Sequence, residues 1–141
     1  MFRKKRQKYE EFLKRVEILS TIDPYEITQI SDALRTASFK QGEYVLREGD
    51  MGDIFYMIEE GEAEATITSE VGKPAVTVKC YRAGDYFGEL ALIKGDPRAA
   101  NILAKTNLKL VSLDRGSFKR LLGPLEEILK RNAEKYIKFI K

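Results

Sequence analysis

The chain has 141 residues, of which 43% are hydrophobic and 33% are charged, and its net charge is +3. This length suits one ordinary domain, and the composition is too apolar for a disordered chain and too charged for a membrane protein. The sequence has no histidine and one cysteine, Cys80. These counts exclude an internal disulfide, the common zinc sites and every catalytic mechanism that uses an imidazole.

Charge and hydropathy along the chain also argue against several partners. Residues 1–15 contain seven Lys and Arg against two Glu, so the basic character belongs to one end. Domains that bind nucleic acid usually spread their basic residues over a face, and we therefore expect no nucleic-acid partner. Because no run of 18 apolar residues occurs and no apolar stretch follows the basic start, we also expect no membrane span, no secretory signal and a cytoplasmic location.

The first 36 residues are predicted to be helical. One amphipathic helix is predicted from apolar residues at helical spacing, namely Tyr9, Phe12, Leu13, Val16 and Leu19. A second helix is predicted to begin at Asp23, which can cap it, with Pro24 in its first turn and Glu26 close to the cap. Its buried stripe would be Ile27, Ile30 and Leu34.

Residues 37–114 have the pattern of a β-structure. Short β-like runs separated by glycine turns occupy residues 44–46, 54–58, 63–68, 76–81, 100–104 and 108–113. They predict an antiparallel barrel or jelly roll, with Cys80 as a core residue of one strand. Residues 115–141 return to a helical pattern, so the predicted fold class is α+β, a β-barrel flanked by N- and C-terminal helices.

Residues 84–104 differ from a plain hairpin. Gly88 allows a close backbone approach, residues 89–93 favour a short helix, and Gly95 ends it before Arg98 enters the next strand. The first amides of this helix have no internal partner and can bind an anion. The guanidinium of Arg98 adds a fork of donors that suits a phosphate.

Glu89 lies in the same segment and narrows the ligand class. A carboxylate would repel a phosphate, so Glu89 should accept hydrogen bonds from neutral donors such as ribose hydroxyls. One arginine with backbone amides balances about one negative charge, and the sequence has no P-loop for a triphosphate. The residues therefore suggest a ribose with a singly charged phosphate. The alternative is purely structural: the glycines shape a turn, Glu89 caps a helix and Arg98 pairs with a surface acid such as Asp53.

The stretch 87–92 followed by 97–100 resembles the phosphate-binding cassette of cyclic nucleotide-binding domains. Residues 49–53, with the Phe-Tyr pair that follows, look like the turn between the second and third strands of that family. The two ends of the chain are similar to the C-terminal such domain of cAMP-dependent protein kinase regulatory subunits. The resemblance implies one domain with an N-terminal helical segment 1–36, a barrel 37–114 holding the cassette 86–100, and C-terminal helices 115–141.

The resemblance also implies roles for residues of the cassette. Glu89 and the backbone of Gly88 would hold the ribose 2′-hydroxyl. Arg98 would bind the exocyclic phosphate oxygen with help from the amides of Ala91 and Ala99. The implied ligand-binding residues are Gly88, Glu89, Leu90, Ala91, Arg98, Ala99, Ala100 and Tyr136.

Three further implications concern selectivity and support. Ala99 stands where members selective for cGMP tend to have Thr, so the resemblance implies cAMP as the ligand. Tyr136 would stack on the adenine, a contact worth roughly 1–3 kcal/mol per base. Asp53 would steady Arg98 without touching the ligand.

The function predicted from this resemblance is a regulatory cAMP-binding domain that is not an enzyme and needs no cofactor or metal. Its partner would be a protein kinase catalytic subunit, controlled by ligand-driven movement of the flanking helices. A transcription factor with the same barrel is an alternative, but only 28 residues follow the last β-like run, too few for a helix-turn-helix reader. A channel or exchange factor remains a second alternative, and a phosphodiesterase would lack its metal ligands.

Overall fold

The computed structural model describes residues 2–68, 72–95 and 97–131, which form strands and helices. The helices are α1 (Phe2–Lys14), α2 (Pro24–Ala33), α3 (Glu89–Lys94) and α4 (Arg115–Leu122), with 3-10 turns at Glu17–Leu19 and Gly123–Leu125. The strands are β1 (Arg35–Phe39), β2 (Tyr44–Leu46), β3 (Ile54–Glu60), β4 (Ala63–Ile67), β5 (Val76–Tyr81), β6 (Tyr86–Phe87), β7 (Asn101–Ala104) and β8 (Leu108–Asp114). Residues 126–131 are also helical.

The strands form two antiparallel sheets of four strands each. Their orders are β1-β8-β3-β6 and β2-β7-β4-β5. Both sheets supply side chains to one interior cluster, including Tyr56 and Leu110 from the first sheet and Ala65 and Ile102 from the second. This arrangement confirms the predicted antiparallel jelly roll flanked by helices.

The first sheet is buried on both faces because a second cluster packs against its outer side. Successive side chains of a strand point to opposite faces, so Tyr56 enters the interior of the jelly roll while Phe55 and Met57 face the helices. Phe55 meets Phe118 of α4 with ring centroids 5.1 Å apart. The helices at both ends of the chain therefore share one core with the first sheet.

The N-terminal helices pack against this sheet, and α1 ends earlier than predicted. Helix α1 stops at Lys14, and Val16 is extended before the 3-10 turn, which still buries both Val16 and Leu19. The Tyr9 hydroxyl and Thr36 Oγ1 share a 2.6 Å hydrogen bond that joins α1 to β1. The predicted cap of α2 is confirmed, since Asp23 Oδ1 accepts from the Glu26 amide at 2.8 Å.

Two strand predictions need correction or extension. Cys80 was expected in the core of a strand, but it is exposed, because β5 is an edge strand and most of its residues face outward. Strand β1 was not predicted and begins at Arg35, two residues before the predicted start of the barrel. Within the described ranges no helix is long and apolar enough to span a membrane.

Candidate functional site

The segment between β6 and β7 contains the predicted glycine and short helix, but Arg98 lies before the next strand rather than in it, because β7 begins at Asn101. Gly88 has a φ of +93°, a backbone conformation that glycine adopts readily, and α3 begins at the next residue. Gly95, with a φ of +70°, follows the last residue of α3. A Cβ at Gly88 would lie 2.9 Å from Arg98 Nη1 and 3.0 Å from the Ile54 carbonyl oxygen. The glycine therefore allows the backbone to pass close to Arg98.

Arg98 is 6% exposed and its guanidinium is held by backbone carbonyls. Its Nη1 donates to the Gly88 oxygen at 2.7 Å and its Nη2 to the Ile54 oxygen at 2.8 Å. Nε is also buried, and among the described atoms it has no hydrogen-bond partner. Burial lowers the pKa of Arg98, an effect that nearby Tyr56 and Asp53 oppose. The side chain is thus fixed in place and retains a free donor.

The loop before β3, residues 49–53, contacts both the backbone and the guanidinium of Arg98. The Arg98 amide donates to the Asp50 oxygen at 2.7 Å, and the Gly49 amide donates to the Arg98 oxygen at 2.8 Å. A Cβ at Gly52 would overlap Nε, Cζ and Nη2 of Arg98. Gly52 must therefore be a glycine for Arg98 to lie in this orientation. Arg115, at the start of α4, donates from Nη2 to the Gly52 oxygen at 3.1 Å.

Glu89 is the other buried charged residue of this segment and is 8% exposed. Burial raises the pKa of its carboxyl to about 7, against the opposing effects of its own backbone amide, Lys79 and Arg98. A carboxyl with this pKa can change its charge near neutral pH in response to what contacts it. It can therefore accept hydrogen bonds from a bound hydroxyl once it is ionised.

Glu89 lines a cavity of about 730 Å³. The walls are the segment 16–21 after α1, strand β5, the turn around Asp85, and Ile128 of the C-terminal helical residues. This volume lies within the range of small-molecule sites. Arg98 is not among the lining residues. Its guanidinium nevertheless donates to the carbonyl of Gly88, the residue before Glu89, so the two residues are linked through the backbone at this position.

The remaining predicted site residues lie as follows. Ala99 is exposed, Ala100 is buried, and the backbone of Leu90 and Ala91 forms the start of α3. Asp53 is exposed and acts on Arg98 through its charge, which favours the protonated guanidinium. Tyr136 lies outside the described residues. Over the ranges that the structure covers, no group of three metal-ligating side chains is present.

Sequence reasoning missed the supporting residues of the site. The roles of Gly52 and Arg115 depend on contacts across 46 and 63 residues of the chain, and the carbonyl of Ile54 has no sequence signature at all. A usable signal for Gly52 was its place in the glycine-rich loop 49–53. Nothing in the sequence around Lys79 indicated that its charge would lower the pKa of Glu89.

The chain is similar to several known proteins. A family model described as a cyclic nucleotide-binding domain matches residues 36–123. A cAMP-dependent protein kinase regulatory subunit of Emericella nidulans is 53% identical over 127 residues, which are 90% of this chain and 30% of that protein. The chain thus spans less than a third of that relative's length. The relative's name describes a regulatory subunit, in agreement with the prediction that the domain is not an enzyme.

Two solved structures are also similar. The regulatory domain of Toxoplasma gondii PKA with cAMP is 50% identical, with a TM-score of 0.91, over 94% of this chain and 51% of that one. A regulatory subunit of a cAMP-independent protein kinase A from Trypanosoma brucei is 31% identical, with a TM-score of 0.88, over 98% and 52%. That second protein carries three substitutions and is described as bound to cAMP in its A site. The substitutions introduce Ala, then Arg seven positions later, then Ala at the next position, and this chain has the same residues at the same spacing at Ala91, Arg98 and Ala99.

Proposed function

The chain belongs to the cyclic nucleotide-binding domain family, and from this premise we propose that it is a cAMP-binding regulatory domain of a cAMP-dependent protein kinase regulatory subunit. The observation that carries the proposal is a pair of buried charged residues linked through Gly88: Glu89 lines a cavity of about 730 Å³, and Arg98 donates to the carbonyl of Gly88, the residue before Glu89. A cyclic nucleotide presents a sugar hydroxyl and one phosphate charge at neighbouring atoms. The site therefore offers an acceptor for the first and donors for the second.

Arg98 is the residue that binds the phosphate in this proposal. Two of its donors are already engaged with the carbonyls of Gly88 and Ile54, so the guanidinium does not have to be ordered when the ligand arrives. Its Nε is buried beside Gly52 and has no partner among the described atoms, so it is a donor that the ligand-free protein leaves unsatisfied. The amides of Ala91 and Ala99 complete the anion site. The Arg and Ala residues introduced in the Trypanosoma protein support this assignment by their spacing.

Glu89 is the residue that binds the ribose, together with the backbone of Gly88. A hydroxyl donor placed against the carboxyl favours the ionised form and offsets the cost of burying its charge. The apolar part of the cavity, from β5 to Ile128, holds the base. Leu90 and Ala100 complete the proposed contact set, Asp53 supports Arg98, and Tyr136 covers the adenine. No cofactor or metal is needed for any of these contacts.

The cavity walls explain how binding could control a partner. A ligand shifts a conformational equilibrium only by its different affinity for the two states. Here one wall is the segment 16–21 and another is Ile128, so a bound base contacts residues next to the helices from both ends of the chain. In this proposal those helices move on binding and release a kinase catalytic subunit in the cytoplasm. The relatives named as regulatory subunits support this choice of partner.

A thermal-shift comparison of cAMP, cGMP, AMP and adenosine tests the ligand. A ligand at 100 times its Kd stabilises the native state by about 2.7 kcal/mol, so we expect cAMP to raise the Tm clearly. We expect cGMP to raise it less, and AMP and adenosine least, because they lack the cyclic phosphate. The proposed function would be wrong if no cyclic nucleotide raised the Tm, or if adenosine matched cAMP.

A further inference from the structure

The Gly49–Asp53 loop holds Arg98 by both its backbone and its side chain. Gly49 and Asp50 exchange backbone hydrogen bonds of 2.8 and 2.7 Å with Arg98. Gly52 lies directly beneath the guanidinium, where any side chain would collide with it. The position of this loop therefore sets the position of Arg98.

Arg115 forms a hydrogen bond with this loop. Its Nη2 donates to the Gly52 carbonyl at 3.1 Å, and the residue is half-buried. Arg115 is the first residue of α4, whose start is capped by Asp114 Oδ1 accepting from the Ser117 amide at 2.8 Å. The helix is fixed on the first sheet by Phe118, which is 4% exposed. A hydrogen bond from such a helix is a firm anchor for the loop.

Arg115 also brings a second positive charge close to Arg98. Two like charges near one another in a partly buried place raise the energy of the ligand-free site. The charge of Arg115 lowers the pKa of Arg98, though less strongly than burial does. An anion placed at Arg98 relieves this repulsion and is attracted by both charges. A phosphate therefore gains from Arg115 without touching it.

We propose that Arg115 is a positioning residue of the phosphate site, which holds the Gly52 carbonyl so that Arg98 stays oriented and which adds a second positive charge. The inference rests on the proposed function, since it concerns the same ligand. It also connects the phosphate end of the site to α4 through one carbonyl oxygen. Binding at Arg98 is thereby coupled to the start of the C-terminal helices.

Calorimetric titration of the full chain with cAMP tests this role. We expect Arg115→Gln to weaken binding about 10-fold, the size expected when one hydrogen bond of a charged group is lost. Arg115→Lys keeps the charge and one donor, so its affinity should lie between those of Arg115→Gln and the wild type. Arg120→Gln is the matched control, because this exposed residue of α4 undergoes the same charge change, and we expect its affinity to stay within about twofold.

A double-mutant cycle separates positioning from a general loss of stability. If Arg115 acts through Arg98, the penalty of Arg115→Gln should be clearly smaller in an Arg98→Lys background, where only the direct attraction between the Arg115 charge and the phosphate remains. A penalty that persists in full there would overturn the inference, as would wild-type affinity in Arg115→Gln. The Tm of each variant shows that it is folded at the titration temperature. Absence of cAMP binding by the wild type would refute the proposed function, and this inference with it.

Discussion

Arg98 and Glu89 are two buried charged side chains nine residues apart, and the protein accommodates them in different ways. Arg98 is 6% exposed and donates to two backbone carbonyls, one from the residue before α3 and one from the first residue of β3. Glu89 is 8% exposed and lies at a cavity wall, where burial raises its pKa to about 7. One group is held by fixed hydrogen-bond partners, and the other is a carboxyl whose pKa lies close to neutral pH.

This difference assigns different tasks to the two residues. The backbone fixes Arg98 in the ligand-free protein, so in the proposed function a phosphate would meet donors that are already oriented. The charge of Glu89 instead depends on the contents of the cavity, because a hydroxyl donor favours the carboxylate and an apolar surrounding favours the acid. Three substitutions test this contrast, in order of decreasing expected effect.

Arg98→Lys should have the largest effect. A lysine has a single ammonium group, which cannot donate to the carbonyls of Gly88 and Ile54 and also reach a phosphate in the geometry of a guanidinium. Loss of a charge-assisted hydrogen bond costs about 1.5–3 kcal/mol, so we expect cAMP affinity to fall about 10- to 100-fold. Calorimetric titration measures this loss.

Arg47→Lys is the matched control for Arg98→Lys. Arg47 is exposed and lies 4.3 Å above the Tyr44 ring, away from the described contacts of the site. Its affinity should stay within about twofold of the wild type. Equal affinities of Arg98→Lys and the wild type would show that a fixed guanidinium is not needed, and the contrast with Glu89 would then fail.

Glu89→Gln should change the pH dependence of stability. Because the folded state raises the pKa of Glu89 from 4.5 to about 7, this group imposes no cost below pH 4.5 and a growing cost as the pH rises to 7. The full cost is about 3 kcal/mol at about 1.4 kcal/mol per pH unit. The ligand-free Gln variant should therefore match the wild type near pH 4.5 and be more stable by up to about 3 kcal/mol above pH 7.

Urea unfolding between pH 4.5 and 8 measures this difference. Glu127→Gln makes the same chemical change at an exposed position, so its stability should follow that of the wild type across the range. A constant difference between Glu89→Gln and the wild type would mean that Glu89 ionises normally in the folded state. The proposed response of this carboxyl to the cavity would then be wrong.

Features set by local chemistry could be predicted from the sequence. The cap at Asp23, the glycine at position 88 and the short helix after it depend on neighbouring residues, and hydrophobic spacing gave the order of helix, jelly roll and helix. The family resemblance extended this to the fold, which the structure and the family match confirm. The roles of Glu89 and Arg98 as ligand contacts stay predictions.

Features set by distant pairing could not be predicted. Strand β1 forms because Arg35–Phe39 pairs with β8, more than 60 residues later in the chain. Cys80 has the composition of a strand core, yet β5 lies at a sheet edge and exposes it. The support of Arg98 likewise depends on residues that are distant in the sequence. Gly52 packs against the Arg98 side chain, and Arg115 binds the backbone carbonyl of Gly52, an atom that carries no sequence signal.

Lys79→Gln should give the smallest effect and tests the source of the unusual pKa of Glu89. The Lys79 charge opposes the effect of burial on this carboxyl, so removing it should raise the pKa of Glu89 by a further fraction of a pH unit. Lys105→Gln is the control, since Lys105 is exposed and does not line the Glu89 cavity. An NMR titration of the Glu89 side-chain carbon measures the shift. If Lys79→Gln lowered the pKa of Glu89 instead, the Lys79 charge would not stabilise the carboxylate. Burial alone would then not explain why this pKa lies near 7.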